Sequence, residues 1–130
     1  MVSDQEIVFE RTIPILRMFD VAKAREFYLD YLGFEVAFEH RFHDEAPLFM
    51  GISRGGVSIF LSEHYGDGTP GTHVIIRLSG IDALHRQLVA KKYRYFNPTI
   101  QTQEWGTREM IVYDPFNNHL VFSERIDSSG

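Results

Sequence analysis

Residues 15–21 read Ile15-Leu16-Arg17-Met18-Phe19-Asp20-Val21, and residues 75–81 read Ile75-Ile76-Arg77-Leu78-Ser79-Gly80-Ile81. Arg17 and Arg77 stand 60 positions apart, apolar residues flank both, and each segment runs into a helical pattern. A second echo follows: Ile59-Phe60-Leu61-Ser62-Glu63 against Leu120-Val121-Phe122-Ser123-Glu124, at an offset of 61. Two matches at nearly one offset, near the start and the end of each half, indicate a duplicated module.

Each half reads as strand, helix, then three strands, with half-modules over about 11–64 and 71–125. In the first, residues 12–19 are strand-like, and Asp20 suits an N-cap because its carboxylate accepts from a free N–H of the first turn. Val21, Ala24, Phe27, Tyr28, Tyr31 and Leu32 share one helical face, and Gly33 stops the helix. Residues 34–39 alternate as a strand, and 48–52 with 57–61 make a hairpin around Arg54-Gly55-Gly56. In the second half, 73–78 is a strand, and Ile81, Leu84, Leu88 and Val89 mark a helix. Strand patterns recur near 99–103, 108–113 and 119–124.

Gly66-Asp67-Gly68-Thr69-Pro70-Gly71 joins the halves as a linker and lacks the Lys-Ser/Thr ending of a phosphate loop. Residues 126–130 are expected to form a flexible tail. Pro14 falls inside the first strand pattern and cannot donate to a ladder. That strand is therefore an edge, bulged or bent, and a candidate for exchange between subunits.

The chain has 130 residues, 44% of them hydrophobic, which predicts one soluble globular domain, and the strand–helix–three-strand order of each half makes its class α+β. It contains no cysteine, so thiolate catalysis, Cys-zinc sites and disulfides are excluded. A net charge of −5 argues against nucleic acid, whose phosphates demand a basic face, and suits a cationic guest. No apolar run approaches the roughly 20 residues that span a bilayer, and residues 1–10 carry no export-signal pattern. The expectation is a cytoplasmic protein without a membrane partner.

Two stretches carry a resemblance that covers about Ile13 to Glu124. One runs from Asp20-Val21 through Glu26-Phe27-Tyr28 to Tyr31-Leu32-Gly33-Phe34. The sharper one is Trp105-Gly106-Thr107-Arg108-Glu109 followed by Asp114-Pro115-Phe116-Asn117-Asn118-His119-Leu120. Together they resemble the bleomycin-resistance branch of the vicinal oxygen chelate superfamily, which also contains glyoxalases and extradiol dioxygenases. The resemblance implies two tandem βαβββ modules with mostly antiparallel, curved sheets. Two departures stand out. Asn117 replaces the usual glycine, although asparagine tolerates a left-handed turn. Ala37 replaces an acid that some members carry just before the Phe38 position.

By the resemblance, the metal-ligand positions of the metal-using members fall on Ile13, Phe60, His73 and Val121. Three are hydrocarbon side chains, whereas a catalytic ion needs about three protein ligands. No metal, no cofactor and no metal-assisted chemistry are expected. His40 and His43 sit on opposite faces of an extended strand, which suits a solvated surface better than chelation. Glu104 and Glu109 flank Trp105 and are the acids nearest to an acid–base pair, but exposed carboxylates are the plainer reading. No Gly-x-Ser-x-Gly nucleophile elbow occurs.

Eleven phenylalanines, six tyrosines and one tryptophan are many for this length, and most must be core. Trp105 lies in a polar turn, where core packing and a stacking surface are equally open readings. The resemblance places Phe38, Phe42, Phe60, His73 and Trp105 around a groove for the planar heteroaromatic tail of a glycopeptide antibiotic. It also implies a homodimer with two grooves at its interface, strand exchange at Pro14, and sequestration of the drug without degradation. The alternatives are a superfamily enzyme, lyase or dioxygenase-like, with a non-standard site, and a binding protein for another hydrophobic metabolite. Which of Phe38, Phe42 and Phe49 faces the groove is open, because one step of register exchanges the faces of a strand.

Overall fold

The computed structural model describes residues 6–93 and 97–126, so all but the first residue of the tail expected at 126–130 lies outside the described residues. β1 (Ile15–Arg17) leads into α1 (Val21–Arg25), which runs on as a π-helix over Glu26–Tyr31. β2 (Glu35–His40), β3 (Phe49–Arg54) and β4 (Val57–Ser62) complete the first half. β5 (His73–Arg77), α2 (Ile81–Ala90), β6 (Gln101–Gln103), β7 (Thr107–Tyr113) and β8 (His119–Arg125) repeat the order.

The strands form two four-stranded sheets, ordered β1-β4-β3-β2 and β5-β8-β7-β6. In each, the first strand pairs in parallel with the last and the remaining pairs are antiparallel. The two sheets are the two modules. Their pairing reproduces the sequence echo: Ile15 lies opposite Phe60 in one, and Ile75 opposite Val121 in the other.

Asp20 caps α1 by accepting from Lys23 N at 2.9 Å. Phe27, Tyr28, Tyr31 and Leu32 are buried as their spacing predicts, each contributing roughly 1.5–3 kcal/mol by leaving water. Gly33, at φ 78°, turns the chain out of the helix. In the π segment, Leu32 N donates to Phe27 O, five residues back. Leu84 and Leu88 of α2 are buried, but Val89 lies off that face and is exposed, because its place on the helix points away from the sheet. The strand read over 12–19 is confined to Ile15–Arg17, since Pro14 has no N–H to offer; its carbonyl accepts from Phe60 N at 3.0 Å.

One core holds both modules: Leu16, Ile59, Leu61, Met50 and Ile52 from the first sheet join Ile76, Leu120, Phe122, Met110 and Val112 from the second, with both helices. A buried polar knot ties the halves. The Tyr28 hydroxyl donates to Asp114 Oδ2, and Asp114 Oδ1 accepts from Phe116 N and Asn118 N at 2.8 Å. Asn118 Nδ2 in turn donates to Asp114 Oδ2 and to Arg17 O. Asn117 takes the left-handed conformation, φ 66°, that this turn requires.

Candidate functional site

Strands alternate their side chains, so with one face of each sheet in the core the other is outward. On the first sheet that outward face carries three rings. Phe38 lies 6.0 Å from Phe49 in a near-parallel stack and 5.1 Å from Phe60 edge-on. Phe49 and Phe60 are 5.4 Å apart. The arrangement depends on a bulge. Val36 pairs with Ile52 and Phe38 with Gly51, leaving Ala37 unpaired. Without the extra residue Phe38 would fall opposite Met50, on the core side. Gly51 completes the seat: a Cβ there would stand 2.2 Å from the Phe38 ring. The ring lies where a side chain would otherwise be.

Phe42 does not join this cluster. It sits beyond β2, 77% exposed, edge-on to His40 at 4.9 Å and to His64 at 5.8 Å. Phe49, whose face the sequence left open, belongs with Phe38 and Phe60.

The outward face of the second sheet is ordered in rows. His73 lies opposite His119, which lies opposite Tyr113. The two imidazoles are 4.1 Å apart between centroids, and Tyr113 meets His119 edge-on at 4.5 Å. Next come Ile75, Val121 and Ile111, then Arg77, Ser123, Glu109 and Gln101. His119 went unnoticed as a neighbour of His73, yet the parallel pairing of Ile75 with Val121 places it there directly.

Trp105 occupies the β6–β7 turn, closed by a Gly106 N–H to Gln103 O bond of 3.1 Å. At 69% exposed it is not a core residue, and it makes no ring contact among the described residues. Phe38 and Phe60 are brought together on one sheet; His73 and Trp105 belong to the other.

The family metal positions do not fit a catalytic ion. Phe60 packs in the ring cluster, Val121 in the aliphatic row, and His73 against His119. Among the described residues no three His, Cys, Asp or Glu side chains converge. No helix of the described residues is long and apolar enough to cross a membrane.

A family model described as "Glyoxalase superfamily protein" matches residues 2–129. A bleomycin resistance protein of Geobacillus stearothermophilus is 28% identical over 134 residues, covering 91% of this chain and 98% of that protein. A bleomycin-binding protein from Streptomyces verticillus, solved with copper(II)-bleomycin, superposes with a TM-score of 0.66 at 29% identity, over 89% of this chain and 96% of that one. A bleomycin resistance determinant encoded on the transposon Tn5 superposes with a TM-score of 0.71 at 21% identity, over 90% and 98%.

Proposed function

The chain belongs to the glyoxalase superfamily, with the bleomycin-resistance proteins as its relatives, and from that premise we propose that it sequesters a bleomycin-type cationic glycopeptide. The observation that carries the reading is the cluster of Phe38, Phe49 and Phe60, three rings held on an outward sheet face instead of in the core. Such rings offer a flat heteroaromatic guest stacking contacts of roughly 0.5–1.5 kcal/mol each beyond the area they bury. Phe60 and Phe38 supply one wall, and Trp105 with His73 supplies the other. Phe42, at the rim, is a peripheral contact.

Two copies are needed in this reading, because the walls lie on the separate sheets of different modules, about 11–64 and 71–125. Support comes from the apolar surface left uncovered: Ile75 is 63% exposed, and Phe38, Ile111 and Tyr113 about two-fifths. Ahead of Pro14, Phe9 is 96% exposed on a segment without regular secondary structure. In this reading the first strand is the piece exchanged between the two copies at the Pro14 hinge; within one chain β1 pairs with β4. The protein works in the cytoplasm by holding the drug stoichiometrically, with no cofactor and no chemical step. Ala37, where some relatives of this branch carry an acid, favours one second reading, a binding protein for another hydrophobic metabolite.

Fluorescence of Trp105, the only tryptophan, reads the proposal directly. Bleomycin should quench it with a midpoint in the micromolar range or below, and sedimentation velocity should show a dimer. No response at tens of micromolar drug overturns the antibiotic assignment, and a monomer at micromolar concentration overturns the shared site.

A further inference from the structure

The carboxylate of Glu109 is held on the outward face of the second sheet by two hydroxyls of its own chain. Ser123 Oγ donates to Glu109 Oε2 at 2.9 Å and Thr107 Oγ1 donates to the same oxygen at 3.0 Å. Oε1 has no hydrogen-bond partner among the described residues, and Glu109 forms no ion pair there. The guanidinium in the same row does not reach it: Arg77 Nη1 stops at Ser123 Oγ, 3.1 Å away. Among the described residues the carboxylate is thus aimed and has no direct ion-pair partner, the Arg77 charge standing one hydroxyl away. It opens on a groove of about 260 Å³. Gln101, Gln103 and Asn97 wall the groove with amides, and Ile111 and Tyr113 add an apolar side.

This is a setting for a positive charge. A half-buried carboxylate with one oxygen already saturated presents the other at little cost in ordering. The amide oxygens of Gln101 and Gln103 add acceptors, and an aromatic ring beside the groove attracts a cation through its face. Gln103 also stands two residues before Trp105, so the groove and the indole share one strand end. We propose that the Glu109 groove is a cation subsite, which takes an organic ammonium or guanidinium group carried by the guest whose flat part stacks on the aromatic walls. The subsite rests on the binding reading above and names the chemistry of the guest's second end.

The test compares two forms of one probe: a bleomycin with a polyamine tail, and bleomycinic acid, in which that tail is replaced by a carboxylate. Titrations follow Trp105 fluorescence at low salt. The native protein should bind the polyamine form about tenfold or more tightly than the acid, the size of one charge-assisted contact. Glu109→Gln keeps an oxygen for Ser123 and Thr107, so it should fold; it should lose that preference, with the polyamine form weakened and the acid, no longer facing a like charge, bound no more weakly than by the native protein. Gln101→Lys, directly across from Glu109 on the neighbouring strand, should lose it as well by placing a tethered ammonium on the carboxylate. A Glu109→Gln protein that still discriminates as the native one does overturns the subsite and leaves the binding function standing. A native protein that binds neither probe overturns both.

Discussion

The Tyr28 hydroxyl donates to Asp114 Oδ2 across 2.7 Å, joining the helix of the first module to the closing turn of the second. Both residues are buried, so the bond has no water to replace it. Asp114 also caps the turn through Phe116 N and Asn118 N, which makes this one carboxylate the organiser of the whole Asp114–Asn118 segment.

Removing the donor alone tests the tie. Tyr28→Phe keeps the ring but takes one of the hydrogen bonds from a buried carboxylate. It should lower unfolding free energy by about 1–3 kcal/mol in urea titrations. A change below about 0.5 kcal/mol would show that this bond contributes little to holding the modules together.

The same residue sets an alkaline limit. Burial holds the Tyr28 hydroxyl well above its ordinary range, with the nearby charge of Asp114 adding to the effect. Burial and Tyr93 push Tyr31 up to about 12. The unfolded chain releases such protons near pH 10, the folded chain only above it. Their stabilising contribution is therefore complete below about pH 10 and is lost as pH rises through the folded values. Urea midpoints should hold from about pH 8 to 9.5 and then fall, and the fall should be shallower in Tyr28→Phe. A midpoint flat to about pH 11.5 contradicts the argument.

Gly51→Ala should separate binding from folding. The added methyl collides with the Phe38 ring, which is on the surface and is able to swing away. Thermal stability should drop by no more than a few degrees, while bleomycin affinity falls roughly tenfold as the three-ring cluster opens. Unchanged affinity would remove Phe38 from the site.

Asn117→Ala addresses the left-handed turn. At φ 66° a residue with an ordinary side chain is strained, and the cost should be about 1–2 kcal/mol in unfolding free energy. Asn117→Gly should be neutral or stabilising by the same measurement.

Much of this fold was readable from the chain. The strand–helix–three-strand order, the Asp20 cap, the Gly33 stop and the hairpin around Arg54-Gly55-Gly56 all follow from local chemistry and periodicity. The offsets of 60 and 61 reappear as Ile15 opposite Phe60 and Ile75 opposite Val121. What escaped the sequence is whatever shifts the register by one. Nothing in the composition of β2 signals that Ala37 is left unpaired, yet that single residue decides which side of the sheet Phe38 occupies. The switch from α1 to a π-helix is equally silent, because the apolar stripe looks the same in both. The resemblance groups Phe42 with Phe38; β2 ends at His40, so the two stand on different stretches of backbone.

The two modules pair alike but do not present alike. Phe60 faces Gly51 across β3 and β4, whereas at the matching places Val121 faces Ile111 across β7 and β8. One sheet left a vacancy that a neighbouring ring fills; the other filled the place with its own aliphatic side chain. A molecule laid between such unlike walls no longer has two equivalent ways round. In the proposed binding mode, turning it end over end would put its flat rings against the Glu109 carboxylate and its charge against phenylalanine. The difference between the two halves would give the proposed binding surface a direction, and in the proposed twofold dimer the two grooves would hold their guests pointing opposite ways.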